Sequence, residues 1–148
     1  VNALAYQEFL GAKKCVAPST GLTCEPEDVN PILKPHQRDM VVWAVRGGRR
    51  AVFTAFGLGK TVIQLEILRI VLQKIGSGRA LVILPLGVRQ EFIRDAEMLG
   101  TAVSFVRTDR ECEANGIYLT NYESVREGKI DPAGFDVVSL DEASCLRS

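Results

Sequence analysis

From Ala51 onward, three kinds of segment follow one another without a spacer. A short β-branched and aromatic run, AVFTAF, leads into the glycine turn GLG, and the turn leads into KTVIQLEILRIVLQKI. This last segment opens on a lysine and a threonine and is then apolar on nearly every side, so the spacing predicts a largely buried helix from Thr61 to Ile75. A helix without a broad polar face must be covered by other elements. A strand feeding such a helix through a tight turn therefore belongs to a layered α/β domain.

The turn itself carries chemistry. Gly57 and Gly59 permit a backbone in which successive N–H groups face an anion, and the helix behind them adds its positive end. Lys60 supplies a charge for the β- and γ-phosphates of a nucleotide, and the Thr61 hydroxyl is a ligand for Mg²⁺. The candidate nucleotide-binding residues are thus Ala55, Phe56, Gly57, Leu58, Gly59, Lys60 and Thr61. The full phosphate-loop pattern is G-x-x-x-x-G-K-[ST], and here Thr54 stands at the first glycine. Gly-x-Gly alone would also suit an ordinary strand-to-helix turn. The apolar run before it and the buried helix after it favour the cradle.

Beyond this helix the rhythm continues. ALVILP is a continuous apolar strand of the kind covered on both faces, followed by a helix in VRQEFIRDAEMLG. Strands AVSFV and GIYLT, a short helix near NYESVREG and a strand FDVVSL complete the chain. The alternation predicts an α/β fold with an open, mainly parallel sheet and helices on both faces. Before the loop, ALAYQEFLGAKK has helical character, and CVAPSTGLTCEPEDVNPILKP reads as an irregular connector wrapping the surface. A helix after Pro35 runs through HQRDMVVWAVRGG, with Trp43 expected in the core and Gly47-Gly48 as the stop. Residues 1–32 are expected to form an N-terminal helix and connector, and residues 33–148 the main domain.

A phosphate loop needs an acidic partner at the tip of another strand. FDVVSLDEAS provides it: Asp141 is placed to hold Mg²⁺, and Glu142 to orient or deprotonate an attacking water. Asp-Glu after a strand also caps helices in many proteins, but beside a phosphate loop the catalytic reading prevails. Asp136, at the near end of the same strand, is expected to be an ordinary solvated residue.

These residues resemble the first RecA-like lobe of a superfamily 2 helicase or translocase. DEAS, Asp141 to Ser144, resembles the DEAD/DEAH box, and FGLGKT resembles the loop of the Swi/Snf-type branch. LKPHQRDMV resembles that branch's L-x-P-[YFH]-Q element, which implies that Gln37 reads the adenine of ATP. ALVILPLGVRQEFIRDAEML and IYLTNYESV resemble the segments that follow and precede these in the family. The overall pattern looks most like phage or prophage proteins of this kind. The resemblance implies a P-loop NTPase of RecA-like fold, ATP and Mg²⁺ as cofactors, nucleic acid (DNA ahead of RNA, with the choice left open) as partner, and ATP hydrolysis with Lys60 and Glu142 as catalytic residues. It also implies a second RecA-like lobe, which this sequence, ending at Ser148, does not include.

Other residues admit two readings. Thr120, Asn121 and Tyr122 either face a nucleic-acid backbone or are explained by Thr120 or Asn121 capping the short helix after them. The basic cluster RGGRR, Arg46 to Arg50, is better explained as a solvated loop than as a phosphate-contacting patch. Eighteen basic and 18 acidic side chains cancel, so composition carries no overall electrostatic footprint for nucleic acid. At 148 residues and 47% hydrophobic content the chain suffices for one domain with a real core. No apolar run is long enough to span a bilayer and no secretory signal is visible, so a soluble, cytoplasmic protein is expected. None of the four cysteines forms a C-x-x-C pair. Cys15, Cys24 and His36 are better read as unconnected than as a metal site. Two alternatives to the helicase reading stay open: another P-loop NTPase or kinase, and a module that binds nucleotide or a partner without turnover.

Overall fold

The computed structural model describes residues 21–48 and 59–141. Among the described residues the first α-helix, α1 (Pro35–Gly47), begins at a proline, whose fixed φ suits the first helical position; the helix expected in ALAYQEFLGAKK lies outside them. The Lys34 N–H donates to Oε1 of Gln37 at 2.9 Å, which ties the helix start together. Its buried stripe is Val41, Ala44 and Val45, and Gly48, at φ 73°, ends it. Trp43 is 47% exposed rather than in the core, which corrects the sequence expectation. At about 100° per residue, position 43 lies roughly opposite Val41, so the Val41/Val45 stripe turns the indole outward.

Helix α2 (Lys60–Ile75) starts one residue earlier than expected and runs between two left-handed glycines, Gly59 and Gly76. Val62, Ile63, Leu65, Leu68 and Ile70 are buried, but Ile75 at the far end is 41% exposed. Burial therefore covers the first turns and fades toward the last.

Strand β1 (Arg79–Leu84) follows, then helix α3 (Arg89–Leu99), strand β2 (Val103–Phe105), strand β3 (Gly116–Asn121), the short helix α4 (Tyr122–Arg126) and strand β4 (Val137–Leu140). Among the described residues the sheet has four strands in the order β2-β3-β1-β4, and each neighbouring pair is parallel; the strand expected in AVFTAF lies outside the described residues. Ile83 of β1 is in register with Thr120 on one side and Leu140 on the other, so three strands end at one level.

Strand alternation divides the apolar residues into two cores. Ala80, Val82, Leu84, Ile117 and Leu119 pack with the buried faces of α1, α2 and α3, where Phe92 has no exposed surface. Leu81, Ile83 and Tyr118 face the other way, against Val106, Ile130 and Phe135, with Val125 of α4 beside them. The α/β architecture is as the sequence predicts. Among the described residues the three longer helices share one face, and the other is covered by α4 and turns.

In the described part of the connector, residues 21–34, Cys24, Val29 and Leu33 are core residues, which corrects its reading as surface wrapping. What docks it is a buried acid. Glu66 of α2 has no exposed surface and accepts from the Asn30 N–H and from the guanidinium of Arg69. Arg69 also donates to the Asp28 carbonyl at 3.0 Å, and Lys74 reaches the Asp28 carboxylate at 3.1 Å. A buried carboxylate is tolerable only with such partners. Asp136 is exposed yet not merely solvated: its Oδ2 accepts from the Arg79 N–H at 2.9 Å, fixing the entry to the sheet. No helix of the described residues is long and apolar enough to cross a membrane.

Candidate functional site

In a parallel sheet the carboxyl ends of the strands and the amino ends of the following helices meet on one edge, where ligands bind. Here that edge gathers the start of α2 and the tips of β1, β3 and β4. Gly59 stands immediately before α2 at φ 73°, a conformation that costs other residues about 1–2 kcal/mol. A Cβ there would lie 2.1 Å from Nε2 of Gln37, so only glycine leaves room for that amide. Gln37, 8% exposed, thus reaches from α1 onto the last residue of the glycine turn.

Lys60 is the first residue of α2, and its Nζ lies 3.3 Å from Oδ1 of Asp141. Asp141 follows β4 and is 1% exposed. Its N–H donates to the Ile83 carbonyl at 2.8 Å, and its carbonyl accepts from the Tyr122 hydroxyl, so its backbone is held on two sides. Oδ1 also accepts from Nε2 of Gln64, at 3.0 Å, and Oε1 of Gln64 in turn accepts from the Ser139 hydroxyl at 2.9 Å. Oδ2 is buried and has no hydrogen-bond partner. Thr61, 4% exposed, sits next to Lys60 in the same first turn.

The donor set suits Mg²⁺. A hard cation takes carboxylate and hydroxyl oxygens, and Mg²⁺ in nucleotide sites uses one or two carboxylates plus phosphate and water rather than an all-protein cage. An orphaned buried oxygen on Asp141, near the first turn of α2, is what such a site presents. Among the described residues no group of three or more His, Cys, Asp or Glu is placed to hold a metal, so no separate cage competes.

The structure therefore brings Gln37, Gly59, Lys60, Thr61 and Asp141 to one end of the fold. Ala55, Phe56, Gly57, Leu58 and Glu142 lie outside the described residues, as do Thr54 and Ser144. Thr120 and Asn121 are 0% and 3% exposed. The Asn121 side chain accepts from the Ser124 N–H at 3.0 Å, which is the capping alternative, while Oγ1 of Thr120 is buried without a partner. His36 is exposed. Arg46, from the basic cluster, is engaged with the Cys24 carbonyl at 2.8 Å and with Glu25 at 3.2 Å. The rest of that cluster beyond Gly48 lies outside the described residues. Cys24 is buried, and that burial raises its thiol pKa, which disfavours the thiolate a metal would need.

Three contributors to the site were not read as such from the sequence. Gln64 lies four residues after Lys60, hence on the same helix face, and that spacing was the available signal. Ser139 had no signal, and Tyr122, read from the sequence only with Thr120 and Asn121, had none for its bond to Asp141, because these partners are remote in sequence. A fourth feature is a basic pair at the same end of the sheet. The guanidiniums of Arg89, which begins α3, and Arg107, just past β2, lie 4.9 Å and 5.4 Å from the ring centroid of Phe105. Local basic surface is thus compatible with zero net charge.

No family model matches the sequence, and no curated protein matches it either. Among solved structures, the chain resembles the Sulfolobus solfataricus SWI2/SNF2 ATPase core in complex with dsDNA, at a TM-score of 0.65 and 20% identity. The similarity covers 86% of this chain and 29% of that one, so this chain spans under a third of its neighbour's length. With its parallel sheet, its glycine-led helix and this likeness, the chain has a RecA-like α/β fold of the kind found in that ATPase core.

Proposed function

We propose that this chain is the ATP-binding lobe of an ATP-dependent DNA helicase or translocase, which hydrolyses ATP to move on nucleic acid when joined to a second RecA-like lobe. The observation that carries the reading is the meeting of Lys60, at the amino end of α2, with the buried carboxylate of Asp141. An ordinary turn has no need for a lysine and a desolvated aspartate at a helix start. A phosphate site with a metal needs both.

In this reading the adenine lies near Gln37, whose amide can both donate and accept. The phosphates rest on the N–H groups from Gly57 to Thr61, at the positive end of α2. Lys60 turns from Asp141 to the phosphates when nucleotide enters. Thr61 and Asp141 would hold Mg²⁺, which when bound would neutralise phosphate charge. Glu142 then orients and deprotonates the attacking water. DNA is preferred over RNA as the track because the structural neighbour was solved on dsDNA. The Arg89–Phe105–Arg107 cluster supplies local positive charge for a phosphate backbone.

The test is equilibrium binding of a fluorescent ATP analogue with Mg²⁺, in the parent chain and in Lys60→Ala. Phosphate release, with and without DNA, is then measured for the chain joined to a second lobe. Binding that depends on Lys60, with DNA-stimulated release, supports the reading. Phosphate transfer to a small acceptor without DNA would overturn it.

A further inference from the structure

Nothing in the fold requires a glutamine four residues into α2, yet Gln64 is held at both ends of its amide. Its Nε2 donates to Oδ1 of Asp141 at 3.0 Å, and its Oε1 accepts from the Ser139 hydroxyl at 2.9 Å. The second bond matters because an amide can flip. With Ser139 donating to the oxygen, the NH₂ end must face Asp141, the only arrangement in which both bonds form. Ser139 and Asp141 flank Leu140 at the end of β4, so one side chain from α2 reads two positions of the strand tip.

The consequence falls on Asp141. Gln64 and Lys60 both occupy Oδ1, and Oδ2 is left buried and without a partner. Lys60 must leave when phosphate arrives, since its charge is needed there. Gln64 is neutral and stays, and it alone of the two can hold the carboxylate's rotation while nucleotide is bound.

We propose that Gln64 is a positioning residue for the metal site: oriented by Ser139, it fixes the Asp141 carboxylate so that Oδ2 is the oxygen presented to the divalent cation. The inference rests on the nucleotide-site reading above and adds a residue to it. Gln64 itself touches neither metal nor nucleotide. Partners that orient a ligand in this way typically govern metal affinity by about 10–100-fold.

The test uses Mn²⁺ as the probe, with its affinity for the ADP complex read by electron paramagnetic resonance. ADP affinity is measured separately in excess chelator. Gln64→Leu keeps the volume and removes both hydrogen bonds. It is expected to lower Mn²⁺ affinity by about tenfold or more while leaving metal-free ADP affinity unchanged. Ser139→Ala, the milder variant, is expected to lower Mn²⁺ affinity less and to add nothing in the Gln64→Leu background. Unchanged Mn²⁺ affinity in both single variants overturns the positioning role and leaves the nucleotide site standing. An equal loss of metal-free ADP affinity also overturns it, by showing general damage. A parent chain that takes up ADP but no Mn²⁺ overturns the metal site and this role together. A parent that binds no ADP overturns the nucleotide reading itself.

Discussion

Lys60 and Asp141 are joined by an ion pair of 3.3 Å in which the lysine is partly exposed and the aspartate is not. The asymmetry sets what each substitution does. Lys60→Ala leaves the buried Asp141 carboxylate without its cation, with the Gln64 amide as the remaining side-chain hydrogen bond. It is expected to lower unfolding free energy by about 1–3 kcal/mol as well as to weaken nucleotide binding. Asp141→Asn removes the charge that needed neutralising, so it is expected to cost less stability than Lys60→Ala. Urea unfolding of the two variants checks the order. A larger loss in Asp141→Asn would contradict it.

Gly59 tests the packing between α1 and the loop. Gly59→Ala must bear both the left-handed backbone and a contact of 2.1 Å with Gln37 Nε2. The backbone cost is about 1–2 kcal/mol, with the displacement of Gln37 added to it. In a double-mutant cycle, Gln37→Ala is expected to relieve the second part only. Additive losses would show that the amide moves aside freely.

Glu66 holds the connector. Glu66→Ala leaves the Asn30 N–H without its acceptor and takes the counter-charge from the partly exposed Arg69, and is expected to destabilise by about 1–3 kcal/mol. Replacing Glu66 and Arg69 together with leucine and methionine should cost less than the single change. Thermal denaturation of the single and double variants decides this.

Asp28 gives a pH signature. The Glu25 N–H, then the Lys74 ammonium, hold its carboxyl below the ordinary aspartate value. Since its folded pKa is depressed, its contribution is complete above the ordinary value, about 3.9, and is lost as pH falls through the lower folded value. Asp28→Asn is therefore expected to flatten the acid side of the stability profile. An unchanged profile would exclude the contribution.

Trp43 is the single tryptophan of the chain. At 47% exposure it should emit at longer wavelengths than a fully buried indole. A blue-shifted emission would return the residue to the core.

The amino-acid sequence by itself determined the alternation of strands and helices, because continuous apolar runs and helical periodicity are local signals. It also marked Gly59, Lys60, Thr61 and Asp141, whose chemistry is written in short, contiguous spacing. Tertiary structure alone decided the strand order β2-β3-β1-β4 and which oxygen of Asp141 is engaged. It also put Glu66 in the core and Trp43 outside it. Helical periodicity gives relative faces but not which neighbour each will meet, so nothing local pairs Glu66 with Asn30. The pairs Gln64–Ser139 and Asn30–Glu66 are remote in sequence and exist only because packing brings their elements together. Short-range chemistry was legible in the chain, whereas the partners that orient it came from the fold.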